Sequence, residues 1–148
     1  MHAPAEVREI FRVADYRVRL PGGESASIHI HKPLPVPLVA LLPGPRAAWG
    51  FITAWNPGAA SRSRQENRAA QHDLRDALLG IVDIQAIHPG VGSAPGWREP
   101  SLFVAGIACR DLDLLMLRFD QLAVVRGDGA GRAALRWHDE AARDHSGL

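Results

Sequence analysis

The sequence predicts an α+β fold: a single domain on a mixed, mostly antiparallel sheet with two main helices, in the order β-β-β-α-β-β-α-β-β. Three observations carry this prediction. Short runs alternate apolar and polar residues and are separated by glycine- or proline-rich turns, the mark of paired strands. Two other segments place apolar residues at helical spacing, and one of them opens on a capping pattern. The connections are short, which favours antiparallel neighbours with helices packed on the sheet.

Asp15 to Leu20 alternates in period two and stops at Pro21-Gly22-Gly23, and Ser25 to His31 alternates again, so a hairpin is expected. The proline-punctuated stretch from Lys32 to Arg46 reads as a loop with a short strand at Leu38 to Leu42. Trp49 to Trp55 is apolar on both faces, as a buried central strand is, and Asn56-Pro57-Gly58 ends it. Ser63-x-x-Glu66 is a capping box, and Leu74, Ala77 and Leu78 continue the helical spacing to Gly80, predicting a helix over 63–79.

Ile81 to Ile87 then reads as a strand and His88 to Gly96, with three glycines and two prolines, as a flexible loop. Ser101 to Ala108 is a second buried strand. Leu112, Leu115, Met116 and Phe119 fall at i, i+3, i+4 and i+7 of a shorter helix. Leu122 to Arg126 and Ala133 to Trp137 flank Gly127-Asp-Gly-Ala-Gly131 as a closing hairpin, with the glycines expected to supply positive φ. The polar tail past His138 is expected to fray, so the core of the 1–148 domain is expected over 14–138.

A chain of 148 residues buries roughly 68–70% of its unfolded surface and needs no staples. The single cysteine, Cys109, excludes an internal disulfide framework and agrees with a reducing, cytoplasmic setting. No segment is apolar for long enough to span a bilayer. A net charge of +1 gives no electrostatic case for nucleic acid. Oligomeric state is not indicated.

Phe51-Ile-Thr-Ala-Trp-Asn-Pro57, Glu66-Asn67, Trp97-Arg-Glu-Pro-Ser101 and Phe119-Asp-Gln-Leu-Ala123 together resemble a bacterial family catalogued as domain of unknown function 3293. The resemblance spans roughly Tyr16 to Trp137 with the motifs in order, and it implies no activity. Asp120 stands where that family usually has glycine, which leaves the backbone beside Gln121 an open point.

Thr53, Asn56, Asn67, Glu99 and Gln121 are the candidate site residues, each at or near the end of an element. Asn67, Gln71, Leu74 and Leu78 lie at i, i+4, i+7 and i+11, which puts Asn67 on the core-facing stripe of its helix. There it either ties down the Asn56-Pro57 loop or faces a polar pocket. Glu99 is a candidate general base or ligand acceptor if buried, and half of a surface ion pair if not. Gln121 is a cap or a ligand contact. Arg62, Arg64 and Arg68 surround a helix start that could favour an anion, and equally form a solvated face.

Other signals carry less. Gly90-x-Gly92-x-x-x-Gly96 misses dinucleotide spacing, and no cofactor is expected. His29 and His31 share a strand face but lack a third ligand at zinc spacing, so no metal is expected. Arg126-Gly-Asp128 reads as a turn, Cys109 as a small core residue, and Trp49, Trp55, Trp97 and Trp137 as packing, with Trp55 and Trp97 offering stacking surfaces at a pocket mouth. Two functional expectations result. One is a pocket that binds a polar or nucleotide-like small molecule, with or without turnover. The other is a non-enzymatic interaction or regulatory module in which the same residues only brace strand ends.

Overall fold

The structure is a computed structural model that describes residues 2–147. Its elements are α1 (Ala5–Val13), β1 (Asp15–Arg19), β2 (Ser25–Ile28), α2 (Val36–Val39), β3 (Ala48–Ile52), α3 (Arg64–Leu79), β4 (Ala86–Ala94), β5 (Trp97–Ala105), α4 (Cys109–Arg118), β6 (Ala123–Asp128), β7 (Ala134–Trp137) and α5 (His138–Asp144). A short 3-10 turn occupies Pro57–Ala59. The predicted α+β class and the order of strands and main helices hold, with α1, α2 and α5 added.

All seven strands join one sheet in the order β2-β1-β4-β5-β3-β6-β7. Every pairing is antiparallel. The sheet curls until its two edges meet: His31 N–H donates to Ala133 O at 2.8 Å and Ala133 N–H to Lys32 O at 2.9 Å. Inside the curl, Tyr16, Val18 and Ile28 from one end pack in one cluster with Trp49, Phe51, Phe103 and Val125 from the middle and the other end. On the outside, Ile52, Leu102, Val104 and Val124 pack under Leu74 and Leu78 of α3 and Leu112 and Met116 of α4. This in-and-out alternation is the period-two pattern of a sheet with both faces covered.

α4 lies so close to β3 that a Cβ on Gly50 would sit 2.8 Å from the Leu112 methyls. The same helix carries Asp113, which is 3% exposed and accepts from Arg136 Nε and a terminal guanidinium nitrogen at 3.2 and 3.0 Å. Arg126 and His145 complete its surroundings. Thus α4, β6, β7 and α5 are tied by one ionic cluster.

Several expectations are corrected. Leu38 to Leu42 is no strand: Val36–Val39 forms the helical turn α2, started by Pro37 in its first turn. Of the glycine-rich stretch 88–96, residues 88–94 belong to strand β4 and Pro95-Gly96 to the turn into β5, whereas 81–85 is not a strand. The positions of Gly90 and Gly92 are occupied by rings of other strands, since a Cβ there would lie 2.8 Å from the Phe51 ring of β3 and 2.9 Å from the Trp97 ring of the adjoining β5. The glycines mark close approach inside a strand and not a loop. The same holds at the closing hairpin: Gly127, Gly129 and Gly131 are absent from the positive-φ positions, and a Cβ on Gly129 would meet Pro45 O at 2.2 Å. The tail past His138 forms α5, with Ala141 buried.

Candidate functional site

β3 ends at Ile52, three residues before the expected Trp55, because the chain turns sharply into a loop that α3 and β5 hold from two sides. The Thr53 hydroxyl donates to Pro100 O at 2.7 Å and accepts from Trp55 N–H at 3.0 Å. Gln71 of α3 accepts from Ala54 N–H at 2.8 Å and donates to Pro100 O at 3.3 Å. One turn earlier, Asn67 Oδ1 accepts from Asn56 N–H at 2.8 Å and Asn67 Nδ2 donates to Asn56 Oδ1 at 2.8 Å. Of the two roles open to Asn67, the geometry realises the brace: its amide is spent on the loop.

What these amides hold is strained. Asn56 at φ 44°, Gly58 at 65° and Ala59 at 62° are all left-handed within four residues. Gly58 N–H closes the loop by donating to Asp120 O at 2.6 Å. Asp120 is itself left-handed at φ 51°. It ends α4 in a Schellman motif, with Asp120 N–H donating to Leu117 O at 3.3 Å and Gln121 N–H to Met116 O at 3.1 Å. The departure from glycine at this position therefore leaves the left-handed backbone intact. Gln121 then points its Nε2 at Trp55 O and Phe119 O, both at 3.3 Å.

The loop, the α4 terminus and β5 together bound a cleft of 190 Å³ lined by Asn56, Glu99 and Gln121 among apolar groups. A smaller inner cavity of 30 Å³ shares Phe11, Trp97, Glu99 and Gln121 with it and reaches Thr53, Tyr16 and Ser101 inside the curl. Four of the five candidates therefore line one or both of these neighbouring cavities. Asn67 stands behind them.

Glu99 is the one ionisable residue of the outer cleft, since nothing else on its wall titrates. Strand alternation points it inward between Arg98 and Pro100, and it is 7% exposed. Burial pushes its carboxyl up to about 7, against the opposing pull of the Trp97 and Asn56 side chains. Tyr16 is also raised, first by burial and then by the nearby Glu99 charge. A carboxyl that exchanges its proton near neutrality beside a cleft is an acceptor or a proton-transfer group.

The cover of the cleft was not predicted. Val7, Ile10 and Phe11 of α1 form one wall, and Phe11 stacks between Trp97 and Trp137 with ring centroids 5.3 and 5.7 Å away. The Tyr16 hydroxyl donates to Phe11 O and fixes the end of α1. Val7, Ile10 and Phe11 are spaced i, i+3, i+4, and that spacing is the signal by which the helix could have been found.

Other candidates fall elsewhere. Arg62, Arg64 and Arg68 are exposed and line no part of the cleft. Cys109, expected in the core, is exposed at the first position of α4. His29 and His31 do not share a strand face: β2 ends at Ile28 and His31 turns left-handed at φ 69°. Among the described residues, the grouping with metal-like proximity is His72, Asp73 and Asp76, all exposed on α3. Arg126 serves the Asp113 cluster, and Asp128 accepts from Ala130 N–H in the turn at 2.8 Å.

Among the described residues no helix is long and apolar enough to cross a membrane. The sequence profile of a family described as Protein of unknown function (DUF3293) matches residues 52–124, from the end of β3 to the start of β6. That span includes all five candidate residues. No curated protein and no solved structure matches the chain.

Proposed function

We propose, from the premise that the chain belongs to the DUF3293 family, that it binds a small molecule in the cleft between α1, β5 and the loop after β3, with Glu99 as the anchoring acceptor. The observation that carries this reading is a buried carboxyl, held up to about 7, that lines open space together with Asn56 and Gln121. Ligand sites combine apolar walls with a few convergent polar groups, and this cleft has that make-up. Its 190 Å³ is below the roughly 300–1,000 Å³ of drug-sized sites. A nucleobase-sized molecule fits within that space.

Thr53, Asn67 and Gln71 keep the loop in its left-handed course, so that Asn56 meets the cleft. In the interaction-module reading these bonds would be the whole purpose of the cluster. That reading accounts for Asn67 and Thr53 but leaves a buried Glu99 with no cationic partner without a role. A cytoplasmic setting belongs to the proposal, and the lone Cys109 supports it.

A thermal-shift screen against small metabolites and nucleobases tests the reading, run on the native chain and on Ile10→Trp, which fills the cleft from its half-exposed wall. Hits that stabilise the native chain and vanish in a folded Ile10→Trp support it. A library without hits, or hits indifferent to Ile10→Trp, overturns it in favour of the interaction module.

A further inference from the structure

We infer that the ligand of this cleft is a small organic cation with several N–H donors, of the amidinium or guanidinium kind, paired with the Glu99 carboxylate. The inference rests on the cleft being a ligand site, as proposed above, and adds the charge and hydrogen-bonding class.

The protein treats its two deeply buried carboxylates differently. Asp113 is met by Arg136, Arg126 and His145 at 3.0, 3.6 and 3.0 Å. Glu99, 7% exposed, has only the neutral Trp97 and Asn56 side chains beside its carboxyl and no Lys, Arg or His within 4.0 Å among the described residues. Its sequence neighbour Arg98 is exposed on the opposite face of β5. A buried charge is normally paired. Here the missing partner has a space in which to sit, because Glu99 opens on both cavities.

Of the polar groups beside Glu99, the Trp97 and Asn56 side chains already donate to the carboxylate, and Gln121 is the one that favours a donor on the ligand. Both N–H bonds of the Gln121 amide are committed to Trp55 O and Phe119 O, which leaves its Oε1 as an acceptor. No Lys, Arg or His lines the cleft, so an anionic group entering it would meet a like charge and no counter-charge. A planar cation with N–H groups on two sides would pair with the carboxylate and still donate to Gln121. Its flat apolar remainder would lie against Phe11, Trp97 and Ile10. Burial opposes ionisation of Glu99 in the empty cleft, and an arriving cation offsets that cost.

Benzamidine, the neutral benzamide and the anionic benzoate share a size and shape and differ in charge, so they separate the alternatives. Each is titrated into the 15N-labelled full chain at about pH 8.5, where a carboxyl of this kind is ionised. Benzamidine should shift the amides of residues 97–99 and 121 saturably, with benzamide at least about tenfold weaker and benzoate silent. Glu99→Gln should weaken benzamidine at least about tenfold, and Gln121→Leu should weaken benzamidine more than benzamide. Benzamide binding as well as benzamidine, or Glu99→Gln retaining benzamidine, overturns the cation inference while leaving the cleft a ligand site. Silence from all three probes also overturns it, and if the metabolite screen is silent as well, the binding reading falls with it.

Discussion

Asn67 and Asn56 clasp each other through two 2.8 Å hydrogen bonds, one from the Asn56 backbone N–H and one between the side-chain amides. The pair joins the first turn of α3 to a left-handed residue of the loop that walls the cleft. Asn56 Oδ1 also accepts from Arg62 N–H at 3.1 Å, so one amide pair sets both the loop and the approach to the helix.

Replacing Asn67 with alanine leaves the Asn56 N–H without its partner in a site that is 2% exposed at Asn67. Loss of about 1–3 kcal/mol is expected in urea unfolding, with faster proteolysis within 53–62. An unchanged midpoint would show that the Gly58 to Asp120 bond holds the loop by itself.

Asp120 costs stability in two ways. It places an L-residue with a Cβ in the left-handed region, and it sets a carboxylate at the negative end of the α4 dipole. Asp120→Gly should therefore raise stability by about 1 kcal/mol, after allowing for the greater chain entropy of glycine. Asp120→Asn should recover only the electrostatic part. A lower melting temperature for Asp120→Gly would show that the carboxylate makes a compensating contact.

The α3 start rests on a reciprocal box, with Glu66 N–H donating to Ser63 Oγ at 3.1 Å and Ser63 N–H to Glu66 Oε1 at 3.4 Å. Ser63→Ala should cost about 0.5–2 kcal/mol. Helical amide protection beginning later in the chain would accompany it.

The box was legible because both partners lie within four residues, as were the hairpin of β1 and β2 and the inward-facing Asn67. What escaped depends on contacts between separate strands and helices. Gly90 and Gly92 read as loop because the rings that fill their positions, Phe51 and Trp97, come from other strands. α1 carries its signal in only three apolar positions, Val7, Ile10 and Phe11, and the partners that hold it, Tyr16, Trp97 and Trp137, lie elsewhere in the chain. At the site, Asn56, Glu99 and Gln121 could be grouped through element ends and the family resemblance. The separation of roles, with Asn67 holding and Glu99 facing the space, was fixed only by register and by side-chain partners.

The Asp113 cluster should behave as a unit. Arg136 is 12% exposed in its side chain against 4% for Asp113, and removing one member strands the other. Arg136→Ala should cost about 3–5 kcal/mol. Replacing Asp113 and Arg136 together with leucine and methionine should cost much less, and a double-mutant cycle with strictly additive losses would refute the coupling.

Glu99 gives the stability of the ligand-free protein a pH dependence of definite sign. Its carboxyl titrates near 4.5 in the unfolded chain and is raised to about 7 in the fold. Between those values the native state keeps a proton that the unfolded state has lost, so stability from this group is full below about 4.5 and declines as pH rises to about 7. Above that both states are ionised and the loss is constant, at about 3 kcal/mol for a shift of this size. Glu99→Gln carries no charge at any pH. Its stability advantage over the native chain should grow between pH 4.5 and 7 and then level off. Urea midpoints of the two proteins across that range read the effect directly, and parallel curves would mean that Glu99 is ionised in the folded cleft throughout.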